Sequence, residues 1–309
     1  MATSETLIDI GANLSHPAFK HDVRQVVEYA RKHAGVERAL LTTAYLKKHD
    51  ALRNFQLCDE HRGFRCTLGI HPHRAAEEFD VTNPGKFRSE MCRLLKQGGD
   101  RVAAIGETGL DYFRMRAPKD AQMACFEAHV ALACELRLPL FLHERDAHED
   151  FLGVLDKFKG VDGKLPVEAV VHCFTGTAAA AREYVARGFY VGITGFVGMH
   201  KRGRELRKTV LGAGIVPLER LMVETDCPYM TPDGDGVSSK LVDPKRNEPV
   251  SLADTVTVIA RELPGGNVSF EDVARETTNN ASRVFFRTAC IKGDTVPYSS
   301  TDMPATREI

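Results

Sequence analysis

Leu140-Phe141-Leu142-His143 is a run of three large apolar residues stopped by an imidazole. Three further runs share the pattern: Ala103-Ala-Ile-Gly-Glu107, Val170-Val171-His172 and Leu221-Met-Val-Glu-Thr-Asp226. Nearly continuous apolar sequence of this length suits a strand of a parallel sheet covered on both faces. A polar residue at the end of several such strands is expected where an α/β barrel gathers its chemistry, because all carboxyl ends open onto one face. Two carboxylates and two imidazoles on one rim are a donor set for divalent cations.

Working outward, eight strand-like runs can be read near 6–13, 37–43, 64–71, 102–107, 138–143, 167–172, 189–194 and 220–226. Amphipathic segments alternate with them, at 21–34, 119–136, 178–187 and 252–262. Eight such alternations predict a single (β/α)8 TIM barrel over 1–290 rather than an open doubly wound sheet, with the site at the C-terminal strand ends. Residues 231–250 are rich in Gly, Pro and Asp and read as a long loop over that face, and 291–309 reads as a polar tail.

Composition excludes some classes of function. Net charge is −1, so no global basic field points to nucleic acid, and any such contact must be local or carried by metal. No secretory signal or bilayer-length apolar run is read, and the eight cysteines contain no C-x-x-C, which predicts reduced thiols in a cytoplasmic or nuclear protein. Cys173 and Cys227 each follow a proposed ligand, and strand alternation predicts that both face the helical layer as buried thiols.

The first run, Asp9-Ile-Gly-Ala-Asn13, places Asp9, Gly11 and Asn13 on one face and Ile8, Ile10 and Ala12 on the other. His71 and His73, in Gly-Ile-His-Pro-His, follow the third run, where an imidazole can hydrogen-bond a phosphate or protonate a leaving group. Glu107 is expected to close the fourth strand, where burial demands a cation or a donor. Arg145 shares a face with His143 and offers a guanidinium to phosphate, whereas Glu144 should point outward. Glu224 and Asp226 lie on one face: Glu224 is the deeper buttress, and Asp226 ligates metal or orients water. Lys201, Arg204 and Lys208 are predicted to share a helical face within the basic cluster 201–208 and to meet the phosphate backbone.

With these motifs in hand, the chain resembles the TatD-type deoxyribonuclease family, a branch of the metal-dependent amidohydrolase superfamily. The resemblance runs from about Leu7 to Phe286 and includes Ile-Gly-Glu-Thr-Gly-Leu-Asp-Tyr at 105–112, His-Cys-Phe-Thr-Gly at 172–176, Glu-Thr-Asp-Cys-Pro-Tyr at 224–229 and Arg-Asn-Glu-Pro at 246–249. It implies a TIM barrel and hydrolysis of DNA phosphodiesters, as an exonuclease and in some members an endonuclease, in DNA repair or degradation. It also implies metal binding by Glu107, His143, His172 and Asp226, with up to two ions. Mg²⁺ is expected, and Mn²⁺ or Zn²⁺ also suit the ligands. Many superfamily members carry His-x-His on the first strand; Gly11 and Asn13 stand there in this chain, so two unequal metal sites are expected.

The resulting expectation is a metal-dependent deoxyribonuclease with DNA as its partner and no obligate protein partner. Asp226, His71 and Glu107 are the catalytic candidates. Arg145, Asn13, His73, Lys201 and Arg204 are the substrate-binding candidates. An ester or amide hydrolase, such as a D-aminoacyl-tRNA deacylase, and a weakly catalytic nucleic-acid-binding barrel are the alternatives.

Overall fold

The computed structural model describes residues 6–46, 50–234, 237–238, 240–265 and 268–287. The tail expected at 291–309 lies outside these residues. Eight strands form one sheet in chain order: β1 (Leu7–Ala12), β2 (Val36–Leu41), β3 (Phe64–Leu68), β4 (Val102–Asp111), β5 (Leu140–Arg145), β6 (Ala169–Val171), β7 (Tyr190–Ile193) and β8 (Leu221–Val223). Every neighbouring pair is parallel. A parallel bridge from Ala12 to Cys227 brings the last strand back to the first, so the sheet is a (β/α)8 barrel.

The helices are α1 (Val23–Ala34), α2 (Asp50–Glu60), α3 (Ala75–Glu78), α4 (Pro84–Gly98), α5 (Lys119–Leu136), α6 (His148–Asp156), α7 (Ala178–Ala186), α8 (Arg204–Leu206), α9 (Leu252–Glu262) and α10 (Phe270–Phe285). In α1, Val23, Val26, Val27 and Ala30 are buried at the expected helical spacing, and Gly35 ends the helix in the left-handed region. The longest helix, α5, has eighteen residues and buries polar Gln122 and His129 beside Phe126 and Val130. No helix among the described residues is long and apolar enough to cross a membrane.

Two apolar clusters divide the molecule. The larger lies between strands and helices. The smaller gathers Ile8, Ile10, Leu40, Phe141, Val170, Tyr190 and Met222, from six strands, with Ala281, Val284 and Phe285 of α10. Side chains from so many strands meet only inside the barrel, so α10 stoppers one end. Its contacts identify that end: Asn280 donates to the carbonyls of Leu218 and Leu221, and Arg65 donates to the carbonyl of Phe285, all near strand N-termini. The carboxyl end of the barrel is left for the site. Ile8 and Ile10 share the interior cluster, as alternation predicts, whereas Ala12 packs in the outer one, because a register shift between Asp9 and Ala12 breaks the period of two.

Candidate metal centre and nucleic-acid cleft

The strand ends open into a cleft of about 1150 Å³ lined by His71, Glu107, His143, His172, Asp226 and Arg145, among others. Glu107 is its centre. One carboxylate oxygen, Oε1, lies 2.8 Å from His172 Nε2, 2.9 Å from His143 Nδ1 and 3.2 Å from His71 Nε2. Burial pushes the Glu107 carboxyl up, but His172 and His71 outweigh it and hold the group well below the usual carboxylate range.

Glu107 does not close its strand. β4 continues to Asp111 and passes through an irregularity between Ile105 and Thr108. Gly109 makes this extension feasible: its φ is +145°, and a Cβ there would lie 1.9 Å from the His143 carbonyl oxygen. The longer strand delivers Asp111, a residue whose role the sequence reading missed. Asp111 Oδ2 accepts from His73 Nε2 at 2.7 Å and lies 3.4 Å from His143 Nε2. The opposite oxygen accepts the Arg114 backbone N–H at 2.8 Å.

Hydrogen bonding assigns the imidazoles different tasks. His172 has Glu224 behind its Nδ1 at 3.4 Å, and His143 has Asp111 behind its Nε2, so each leaves its other nitrogen facing Glu107. A carboxylate behind each imidazole is the usual support of a metal ligand. Burial lowers the His172 pKa, yet the charges of Glu107 and Glu224 outweigh it and raise the ring well above its ordinary value. His71 is different. Its Nδ1 accepts the His73 backbone N–H at 3.0 Å, so the neutral ring carries its proton on Nε2. Burial pushes its pKa down to about 4, which keeps it a neutral N–H donor near pH 7. Although His71, Glu107 and His143 each place a donor atom within 4.8 Å of the others, the bonding of His71 suits donation better than ligation.

Asp226 sits beyond β8, and its Oδ1 accepts from Asn13 Nδ2 at 2.9 Å. Burial pushes its carboxyl up to about 7; His172 opposes the shift, while Glu107 and Glu224 add to it. Asn13 also accepts from the Thr42 hydroxyl, so both ends of its amide are engaged within the protein. It therefore holds Asp226 in orientation while lining the cleft itself. His73 likewise lines the cleft with one nitrogen committed to Asp111. Glu224 is fully buried, as expected of a buttress, between Gly11 and Gly192, where an added Cβ would lie 2.0 Å and 2.4 Å from its two carboxylate oxygens. The Arg-Asn-Glu-Pro motif underpins this rim, since Asn247 donates to the Thr225 carbonyl at 2.9 Å. Glu144 points away from the ligands, accepting from Tyr184 and capping the Ala147 N–H.

Two further expectations are corrected. Cys173 does not face the helical layer: β6 ends at Val171, and φ of +45° at Cys173 turns its Sγ to 3.7 Å from Asp226 Oδ2. Burial raises that thiol well above its ordinary pKa, and Cys227 is buried in the core as expected. Lys201 and Arg204 do not line the cleft; Arg202 does, with its guanidinium 5.3 Å from the Phe196 ring centroid. Lys201 lies in a turn before α8, outside the helical segment that α8 and the π-helical turn Arg207–Leu211 form, so it does not share the helical face expected with Arg204 and Lys208. Arg207 is occupied with the carbonyls of Val197, Met199 and His200. Arg145 reaches the cleft as expected and lies 4.1 Å over the Phe113 ring.

The donor set fits divalent cations. Glu107, Glu224 and Asp226 crowd around His172, and the ionic partners of Glu107 among the described residues are imidazoles. Burial, with Glu107 and Glu224 beside it, raises the Asp226 carboxyl, and a cation would favour its charged form.

Residues 8–286 match the family described as TatD related DNase. A protein of Cronobacter sakazakii named 3'-5' ssDNA/RNA exonuclease TatD is 37% identical over 284 residues, covering 92% of this chain and 99% of that protein. Among solved structures, a TatD-family hydrolase of Entamoeba histolytica aligns with a TM-score of 0.75 at 24% identity, covering 93% of this chain and 99% of that one. The TatD homologue YJJV of Escherichia coli aligns at 0.73 with 23% identity, covering 91% and 98%. These two likenesses concern the fold; the sequence matches carry the family. The chain belongs to the TatD-related DNase family and is a nuclease of that family.

Proposed function

We propose that this protein is a divalent-metal-dependent nuclease that hydrolyses phosphodiester bonds of single-stranded DNA, and of RNA, from a strand end, as the names of its curated relatives suggest. The observation that carries the reading is the convergence of His71, His143 and His172 on one oxygen of Glu107, with Asp226 in the same cleft.

Glu107, His143, His172 and Asp226 would hold up to two cations, with Mg²⁺ or Mn²⁺ the proposed occupants. Such cations polarise a phosphoryl oxygen and acidify water. Asp226, which Asn13 holds in orientation at the edge of the centre, is placed to take a proton from the attacking water. His71 directs Nε2–H at the anionic centre, where it can donate to a phosphate oxygen or to the departing 3'-oxygen. Arg145, Arg114, Arg116 and Arg202 line the cleft and provide positions for the backbone phosphates.

The reading is tested by incubating end-labelled single-stranded DNA, duplex DNA, single-stranded RNA and a D-aminoacyl ester with the protein, with and without chelator. Stepwise shortening of single strands that chelator abolishes and Mg²⁺ or Mn²⁺ restores is the expected result. Undiminished cleavage in chelator would refute metal dependence, and turnover confined to the ester would make the protein a deacylase.

A further inference from the structure

Two aromatic side chains stand out among the exposed large hydrophobic residues: Phe113, 60% exposed, and Tyr229, 53% exposed. Both line the same cleft. Each is braced by a polar neighbour. Arg145 lies 4.1 Å over the Phe113 ring, and His16 meets the Tyr229 ring edge-on at 5.7 Å and its hydroxyl at 3.3 Å. Each is also tied to the anionic centre through the backbone. The loop carrying Phe113 is anchored where Arg114 N–H meets Asp111 Oδ1 at 2.8 Å, and Tyr229 N–H donates to the Asp226 carbonyl at 2.9 Å.

Single exposed aromatics are ordinary on protein surfaces. Two that flank one anionic centre, each held against a polar neighbour and interleaved with cleft-lining arginines, match the chemistry of a platform for unstacked bases. Resting on the nuclease reading, we propose that Phe113 and Tyr229 are nucleobase-stacking subsites that each take one unpaired base beside the scissile phosphate. The Arg145–Phe113 pair supplies a cation-backed ring face. Bases paired within a duplex have their faces covered by their neighbours, so these rings select unpaired ends and require a duplex to fray before it can enter.

The test separates binding from cleavage. Binding of the wild-type protein, Phe113→Ala, Phe113→Trp and Tyr229→Ala is measured by fluorescence titration in chelator. The probes are a single-stranded oligonucleotide with terminal 2-aminopurines and the same strand with abasic terminal sugars. Each Ala substitution should weaken binding of the intact strand roughly ten-fold, Phe113→Trp should retain it, and neither Ala substitution should weaken binding of the abasic strand further. Unchanged affinity of the Ala variants for the intact strand overturns the proposal, as does an equal loss on both strands. Turnover of the same intact strand by the wild-type protein with Mn²⁺ is recorded alongside. Absence of turnover there would remove the nuclease reading, while the base-dependent binding difference would still stand or fall on its own.

Discussion

Glu224 shows how one buried carboxylate serves another residue's chemistry. It lies 3.4 Å from His172 Nδ1, so replacing it with Gln keeps the shape and removes the charge that supports the imidazole. Glu224→Gln should lower metal affinity and turnover by roughly 10- to 100-fold while the fold persists; metal titration by calorimetry and circular dichroism check the two halves. Asp9 offers a pH prediction. Burial pushes its carboxyl up to about 6 from 3.8, although Thr225 and Gly11 hydrogen-bond it and oppose the shift. A raised acid binds its proton more tightly in the folded than in the unfolded chain, so its contribution falls as pH rises through the window from about 4 to 6. Asp9→Asn removes that titration, so the variant should gain on the wild type across this window by on the order of 2–3 kcal/mol. Urea denaturation at pH 4 and pH 7 measures it, and a constant difference would refute it. At this scale the proposed ligands Glu107, His143, His172 and Asp226 could be picked out from the sequence because each follows an apolar run, and the structure brings all four to one cleft. Asp111 was hidden, because Gly106 and Gly109 interrupt the apolar period before it.

Among the elements, α5 carries a polar spine. Gln122 accepts the Asp111 backbone N–H at 2.8 Å and donates to the Ala117 carbonyl, and seven residues later His129 Nε2 accepts the Ile70 N–H at 3.0 Å. One helix face therefore sets the backbone beside both Asp111 and His71. His129→Leu leaves the Ile70 N–H unpaired and should cost about 1–3 kcal/mol. Because His71 follows directly, kcat should fall more than KM changes; equal kinetics in the variant would deny α5 this positioning role. The helix itself was readable over 119–136, but a buried Gln and His give no hydrophobic signal of what they hold. The basic cluster teaches the converse. Charge density was visible in 201–208, yet the turn at Lys201 and the short α8 place Arg202 on the cleft. Arg202→Ala should flatten the salt dependence of single-strand binding by about 0.7 per lost phosphate contact, whereas the Lys201→Ala, Arg204→Ala double variant should not. Binding isotherms from 50 to 200 mM salt distinguish the two.

For the molecule as a whole, the barrel was legible because parallel strands buried on both faces leave unbroken apolar runs, and eight of them alternate with amphipathic segments. The stopper role of α10 was not, since nothing in Val273, Ala274, Ala281, Val284 and Phe285 says whether a buried stripe packs outside the sheet or across its end. The closed barrel fixes the distance between ligands contributed by strands far apart in sequence, so cation binding stabilises the entire fold. Mn²⁺ at 100 times its Kd should add about 2.7 kcal/mol, raising Tm by several degrees. Thermal unfolding with Mn²⁺ and with chelator measures the shift. Coincident melting curves, with Mn²⁺ in such excess, would show that the cation does not bind the native state.

The pocket that Gly11 and Gly192 make for Glu224 has a consequence for how this chain can change. A methyl group at position 11 or 192 meets the Glu224 carboxylate, so a side chain at either glycine requires that carboxylate to shift or be shortened, and at 192 the His172 Cα also lies 3.1 Å away. The three positions form an epistatic set in which the order of substitution matters. A route from this arrangement to a barrel with a first-strand histidine has to displace or shorten Glu224, and so disturbs the support of His172. A side chain at Gly11 should therefore cost less activity in a Glu224→Ala background than in the native one, and comparing the single and double variants measures that coupling.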